Sequence, residues 1–493
     1  MAYEHGVKIS EVATSVLPPV ESSAGIPIFF GTAPVNMTAD ASVNKPILCY
    51  SYEEAVAALG YVPPVENEKG LKKFEYTLCQ AMYSQFVLFQ VAPVIFVNVL
   101  DPSKHKKSAS ATNFTLDAKM GSATVAESGI LPESVTIQSS TGAEYVNGTD
   151  YVLTFDDDGF LVVSSLKNAE GAFLCETGVA LTISAEKLDP SMVTADEIVG
   201  GVDMQGNKSG LELVNEVFPR FRLISGIIAA PGFSHNPTVA AVMATKASNI
   251  NEHFKAISLV DVPTDTVRSY TDVAEWKNNN NIVDPMQVLC FPMLSLDGVV
   301  FNFSTQLAGL MGLVDSENDD VPYVTPSNHN LQCTASILED GTEVYLGADQ
   351  ANYLNSQGVV TALNFIGGWK CWGSRTAVYP APTDVKDAFV PIRRMFNWIG
   401  NTLVQSFWQQ VDGPLTPRLI NTIVDSANIW LNGLAAQQKI LGGRVDFLES
   451  ENSAIDLADG KVRFHVYVTP PSPARSINFV LEYDVNYLST LFG

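Results

Sequence analysis

Apolar positions along this chain follow two rhythms, and the changes between them set out its architecture. Residues 94–100 (Val-Ile-Phe-Val-Asn-Val-Leu) are an almost unbroken β-branched and aromatic run. Such a run predicts a strand buried on both faces. Similar strands are predicted at 26–31, 223–229, 255–261, 287–291 and 359–365. Helical stretches are predicted between them at 51–59, 71–84, 210–218, 237–254, 266–277, 304–313 and 349–357. Strand–helix alternation at this spacing implies a largely parallel or mixed sheet flanked by helices. Ser51-Tyr-Glu-Glu54 has capping-box spacing with Gly60 as a stop, and Asn236 stands where it can cap the helix that begins at Pro237.

Between 104 and 194 the texture changes to short alternating stretches at 134–138, 151–155, 160–164 and 179–183. Asp156-Asp-Asp-Gly159 between two of them is a hairpin turn signal. A calcium loop would alternate its ligands, whereas these acids are consecutive, so the turn reading is preferred. The predicted outcome is a small all-β module inserted into the α/β domain.

Beyond 380–384 come two amphipathic helices. Ile392, Met395, Phe396, Ile399, Leu403 and Phe407 line one face of the first. In the second, Thr416 caps, Pro417 takes the first helical position, and Gly442-Gly443 marks the end. Val462, Phe464, Val466 and Val468 then alternate with polar or aromatic residues. After three prolines, Ile477, Phe479, Leu481, Tyr483, Val485 and Tyr487 alternate with Asn478, Val480, Glu482, Asp484 and Asn486. The chain thus carries a potential strand near each terminus, Gly6, Val7, Lys8, Ile9, Ser10, Glu11 and Val12 at one and 477–485 at the other. Each is joined to the body through prolines. Exposed edges are normally blunted unless something pairs there, and such strands suit addition to a neighbour's sheet.

The predicted fold class is therefore α+β and α/β multidomain. It has an N-terminal arm (1–25), an α/β core with a mixed sheet in two parts (26–103 and 195–382) and an inserted β domain (104–194). A C-terminal α+β domain (383–476) and a strand arm (477–493) follow. A chain of 493 residues fits about three domains.

Charge narrows the function classes. The net charge is −24, which argues against a nucleic-acid partner, because neutralising phosphates needs clustered Lys and Arg. The imbalance is uneven. From Lys386 onward there are 9 Lys/Arg against 10 Asp/Glu, so almost all the negative charge lies earlier. A face that meets an acidic partner is expected from the C-terminal part. Arg393, Arg394 and Arg418 fall near helix starts, where the dipole disfavours cations, which hints at an outside partner.

Little in the sequence is chemical. Cys49, Cys79, Cys175, Cys290, Cys333 and Cys371 are scattered, with no C-x-x-C, and are read as reduced and buried. No phosphate loop of the form G-x-x-x-x-G-K-S/T occurs, nor any H-E-x-x-H, and no cofactor is expected. Gly232-Phe-Ser-His235 resembles a nucleophile elbow, but Asn236 stands where G-x-S-x-G needs glycine. Asp315-Ser-Glu-Asn-Asp-Asp320 is read as a solvated loop, and Gly367-Gly-Trp-Lys-Cys-Trp-Gly373 as a turn whose tryptophans pack between domains. No signal peptide and no run long enough for a membrane span is seen, so folding in a cytoplasm is expected.

The order of several segments resembles the contractile phage tail sheath protein family. They are Gly6-Val-Lys-Ile-Ser-Glu-Val12 with Ile26-Pro-Ile-Phe-Phe-Gly31, Ile228-Ala-Ala-Pro-Gly-Phe-Ser234 and Ser258-Leu-Val-Asp-Val-Pro263. Leu354-Asn-Ser-Gln-Gly-Val-Val360 with Trp372-Gly-Ser-Arg-Thr376, and Phe389-Val-Pro-Ile-Arg-Arg394, complete the set. The likeness spans roughly three quarters of the chain and omits the insertion. It departs at Ser374, where alanine is usual.

The resemblance implies a non-enzymatic subunit, assembled in the host bacterial cytoplasm, that polymerises as stacked hexameric rings around an inner tail tube protein. Baseplate and tail terminator proteins are further implied partners. Contraction would proceed without nucleotide hydrolysis and without direct nucleic-acid contact or stable membrane insertion. Terminal arms would add strands to neighbouring C-terminal sheets. The C-terminal domain would face the tube, with Arg393, Arg394, Arg418, Lys439 and Arg444 as candidate contacts. Two rival readings stand beside it: an α/β hydrolase using Ser234 and His235, and a non-assembling adhesin built on the β domain.

Overall fold

The structure is a computed structural model that describes residues 21–492. The predicted strand over Gly6 to Val12 lies outside the described residues. Eight strands form the central sheet: β1 (Pro27–Gly31), β2 (Ile47–Cys49), β3 (Val94–Asn98), β4 (Ile227–Ala229), β5 (Ile257–Asp261), β6 (Gln287–Cys290), β7 (Val359–Asn364) and β8 (Trp369–Trp372). Their spatial order is β2-β3-β1-β4-β5-β6-β7-β8. The six inner strands are parallel, while β2 and β8 run antiparallel at the two edges.

The unbroken apolar runs make sense in this position. Phe29, Phe96, Ala229 and Leu259 pack into one cluster with helix α2 (Phe303–Ser316). Alternate residues Ile28, Phe30, Ile95 and Ile228 join a second cluster with helix α1 (Pro237–Ser248). A strand covered on both faces is largely apolar, and the polar exceptions here, such as Asn98 and Ser258, are hydrogen-bonded. Each large side chain so buried contributes about 1.5–3 kcal/mol of transfer free energy.

Several boundaries differ from those expected. The helix predicted over 71–84 starts at Thr77 and continues through Leu88 with a π-helical second half. Lys72 is instead paired with Val299 in a separate sheet. Helix α1 stops at Ser248, short of 254, because the chain turns through positive φ at Asn251 and Glu252. The helix predicted over 266–277 occupies Asp272–Asn279. The glycine–tryptophan turn is a strand for half its length, since Gly367 and Gly368 make the turn and Trp369–Trp372 pairs with β7.

Residues of the inserted β stretch pair only with one another in the described sheets. Lys106–Ser108 and Glu186–Leu188, its incoming and outgoing strands, pair antiparallel. Between them lie a four-stranded and a three-stranded sheet around Leu116, Val125, Ile137, Leu161 and Leu181. At the Asp-rich turn, Asp156 Oδ1 accepts from the Phe160 amide at 2.8 Å, and Gly159 takes φ +80°.

The C-terminal part packs helix α3 (Val390–Phe407) on helix α4 (Pro417–Ala436) and a two-stranded sheet. That sheet is β9 (Gly442–Asp446) against β10 (His465–Thr469). Gly442 and Gly443 therefore open a strand and do not end the helix. Met395, Trp398, Ile399, Ala427, Trp430, Leu431 and Val445 form the local core.

Candidate assembly surface

Four features of the C-terminal part bear on function. The first is the path of the chain before β1. Trp398 Nε1 donates to the Ser22 carbonyl, the Ser22 amide donates to Thr402 Oγ1 at 3.3 Å, and Trp430 Nε1 donates to Glu21 Oε1 at 2.9 Å. The segment leading out of the core is thus laid along α3 and α4. Gly226 makes room for it, because a Cβ there would meet the Ala24 carbonyl oxygen at 2.0 Å.

The second feature is the fate of the candidate tube-facing cations. Arg394 is buried and forks onto the carboxylate of Asp315, with Nη2 also donating to the Ala24 carbonyl at 3.1 Å. Arg393 is buried too, its Nη1 2.8 Å from Asp387 Oδ1 and its Nε donating to Asn397. Lys439 reaches Asp319 at 2.9 Å. These three side chains are therefore committed inside their own chain, which corrects their expected exposure. The helix-start dipole did signal a partner, but the partner is internal. Asp315 is likewise no solvated loop residue. It lies in the last turn of α2 and is 1% exposed. Burial pushes its carboxyl pKa up, and the Arg394 guanidinium opposes that shift. Arg444 is exposed, pairs with Asp446 at 2.9 Å and lies over the Tyr467 ring. Arg418 is exposed and makes no ion pair among the described residues.

The third feature is an open sheet edge. Asn428 of α4 satisfies Val445 of β9, accepting from its amide at 2.7 Å and donating to its carbonyl at 3.0 Å. Helix α4 therefore covers the outer edge of β9. The outer edge of β10 has no strand partner among the described residues. The fourth feature is the tail. Residues 470–484 carry no regular structure, where alternation predicted a strand from 477, and a 3-10 helix follows at Val485–Phe492. Ile477, Phe479, Leu481, Tyr483 and Tyr487 are 71–94% exposed. Isolated β-capable segments lack a partner for their backbone groups, so an extended exposed stretch is what a lone chain can offer.

The rival enzymatic constellation does not assemble. Ser234 is fully buried, and its Oγ donates to Asp261 Oδ2 at 3.2 Å. Asp261 also accepts from the Ser304 amide at 2.8 Å and from the Ser304 hydroxyl. His235 lines a polar cavity of about 360 Å³ beside Asp261, and no hydrogen bond joins it to Ser234. A nucleophile that is buried and donates to a carboxylate is poorly placed to attack a substrate. Among the described residues, Cys49, Cys79, Cys175, Cys290 and Cys371 are buried thiols and Cys333 is half-buried.

No protein-family model matches the chain. It is 26% identical to the tail sheath protein of Burkholderia phage BcepMu over 100% of this chain and 99% of that one. It is 27% identical to the tail sheath protein of Escherichia phage P2 over 60% and 73% of the two chains. Its fold matches the sheath complex of an extracellular contractile injection system in the contracted state at TM-score 0.58 and 13% identity, covering 99% of both. The contracted helical sheath of the anti-feeding prophage follows at TM-score 0.53 and 14% identity, covering 98% of this chain and 100% of that one. Over its whole length the chain is thus similar to a contractile phage tail sheath protein, and its fold is that of contractile sheath subunits.

Proposed function

We propose that this chain polymerises around an inner tail tube as stacked hexameric rings and contracts to drive that tube through a cell envelope, without hydrolysing nucleotide. It is a component of the virion tail, assembled in the host cytoplasm, that meets the baseplate at one end and a terminator at the other. The observation that carries this reading is the pairing of a surplus with a deficit. Among the described residues, 477–484 expose apolar side chains without regular structure, while β10 has no strand partner at one edge. An extended segment and an open edge are the two halves of strand addition, and here they belong to neighbouring copies. Gly6 to Val12, outside the described residues, is assigned the same role from its sequence. Such links keep subunits connected while they rotate, so energy can be stored in one lattice and released in another as a bistable switch of interfaces.

The C-terminal domain faces the tube, with Arg418 and Arg444 as its exposed cations, and the inserted β stretch lies on the outside. Deleting residues 477–493 tests the reading. Soluble, folded subunits that no longer polymerise are expected; normal polymers from the truncated chain would overturn it.

A further inference from the structure

A cavity of about 540 Å³ lies where the terminal arm leaves the core, and its lining is unusual for this protein. Ser327, Asn352, Trp372, Arg375, Tyr379 and Arg475 contribute to it, and no Asp or Glu is among its lining residues. The chain as a whole has 53 acidic residues against 29 Lys and Arg, so a two-arginine pocket without a carboxylate stands out. Arg375 is held rigidly. Its guanidinium lies 3.7 Å from the Phe389 ring centroid and 4.1 Å from that of Tyr379. It is half-buried, and burial together with the nearby charge of Arg475 pulls its pKa down.

Neither Arg375 nor Arg475 forms an ion pair among the described residues, although most other arginines do. Arg475 is exposed, its charge repels that of the half-buried Arg375, and a carboxylate between the two relieves that cost. Guanidinium forks match a carboxylate with paired hydrogen bonds.

We infer that the Arg375–Arg475 pocket receives an Asp or Glu carboxylate from a neighbouring copy of this chain, an inference that rests on the self-assembling reading above. The argument for a second copy is charge complementarity. A subunit with a net charge of −24 brings surplus carboxylates to every contact with itself, and this pocket is a place able to neutralise one. Because Arg475 sits on the strip leading to the arm, the contact also fixes the direction in which the arm departs. It makes the arm's docking and the seating of the neighbour one event.

Arg475→Lys provides the test, since it keeps the charge and adds an amine that a zero-length carbodiimide joins to a carboxylate in contact. Isotope-labelled and unlabelled subunits of this variant are mixed, polymerised, treated and analysed by mass spectrometry. The expected result is a polymer-dependent amide between position 475 of one copy and an Asp or Glu of the other isotope. Polymers that form normally with position 475 joined only within its own chain, or to nothing, would overturn the inference and leave the sheath reading intact. If the unmodified full-length chain forms no polymer at all, the sheath reading fails first and this contact falls with it. As a second measurement, Arg375→Gln with Arg475→Gln should raise the critical subunit concentration about tenfold, the worth of one charge-assisted contact. An unchanged critical concentration in a folded double variant also contradicts the contact.

Discussion

Arg394 donates from Nη1 to Asp315 Oδ1 at 2.9 Å, and at 3% and 1% side-chain exposure the two form a salt bridge shut away from water. It joins three parts of the chain at one point: α2 of the core, α3 of the C-terminal part, and the Ala24 carbonyl of the strip that leads to β1. Removing one partner leaves the other charge buried and uncompensated, at a cost of about 3–5 kcal/mol. Asp315→Asn and Arg394→Met should each lower the unfolding free energy measured by urea titration by that order. The double change Asp315→Leu with Arg394→Met should recover much of the loss, since replacing a whole buried pair by apolar groups is often neutral. A double variant as unstable as the sum of the singles would count against this view of the pair.

Gly226 gives a second, local prediction. A methyl group there would collide with backbone, not with a flexible side-chain end, so Gly226→Ala should lift the strip at Ser22–Ala24 off α3. The amides of Ser22 and Gly226 and the Trp398 indole should exchange hydrogen faster in the variant. Unchanged protection would mean the strip is held by other contacts.

The cations separate into two kinds. Arg418→Glu changes an exposed side chain and should leave thermal stability within about 0.5 kcal/mol, as surface substitutions do, while weakening co-assembly with the tube protein. Arg393→Glu should instead unsettle the fold, because it turns the Asp387 pair into a repulsion. Equal stability of the two variants in thermal melts would erase this distinction.

Lys277 supplies a pH-dependent signature. The residue is 2% exposed, and its ammonium donates to the Gln357 and Tyr379 carbonyls at 2.6 and 2.7 Å. Burial pulls its pKa down from 10.5 to about 8. Between those values the unfolded chain holds more protons at this site than the folded one, so the site's contribution to stability rises with pH. Relative to Lys277→Met, the native protein should therefore gain stability as pH goes from about 8 to 10.5. A difference that does not vary with pH would show that the amine keeps its proton when folded.

Much of the core was legible because strands buried on both faces write themselves as apolar runs, as 94–100 does. Less visible were elements whose signal is shared with turns. Trp369–Trp372 is flanked by glycines on both sides, and Gly442–Asp446 begins with two, so local composition argued for breaks where tertiary pairing makes strands. The terminal alternation from 477 has no ladder within the described chain. The cations near helix starts were a true anomaly. Their resolution needed three dimensions, since Asp315 lies 79 positions from Arg394 and its run of acids looked like a surface loop.

The most direct measurement is electron microscopy of the purified full-length chain, carried to a helical reconstruction that traces the backbone. Tubular or ring-stacked polymers are expected, with residues 477–485 paired as a strand against His465–Thr469 of a different copy. Monodisperse particles under all assembly conditions, or polymers in which that segment folds back on its own chain, would contradict the account.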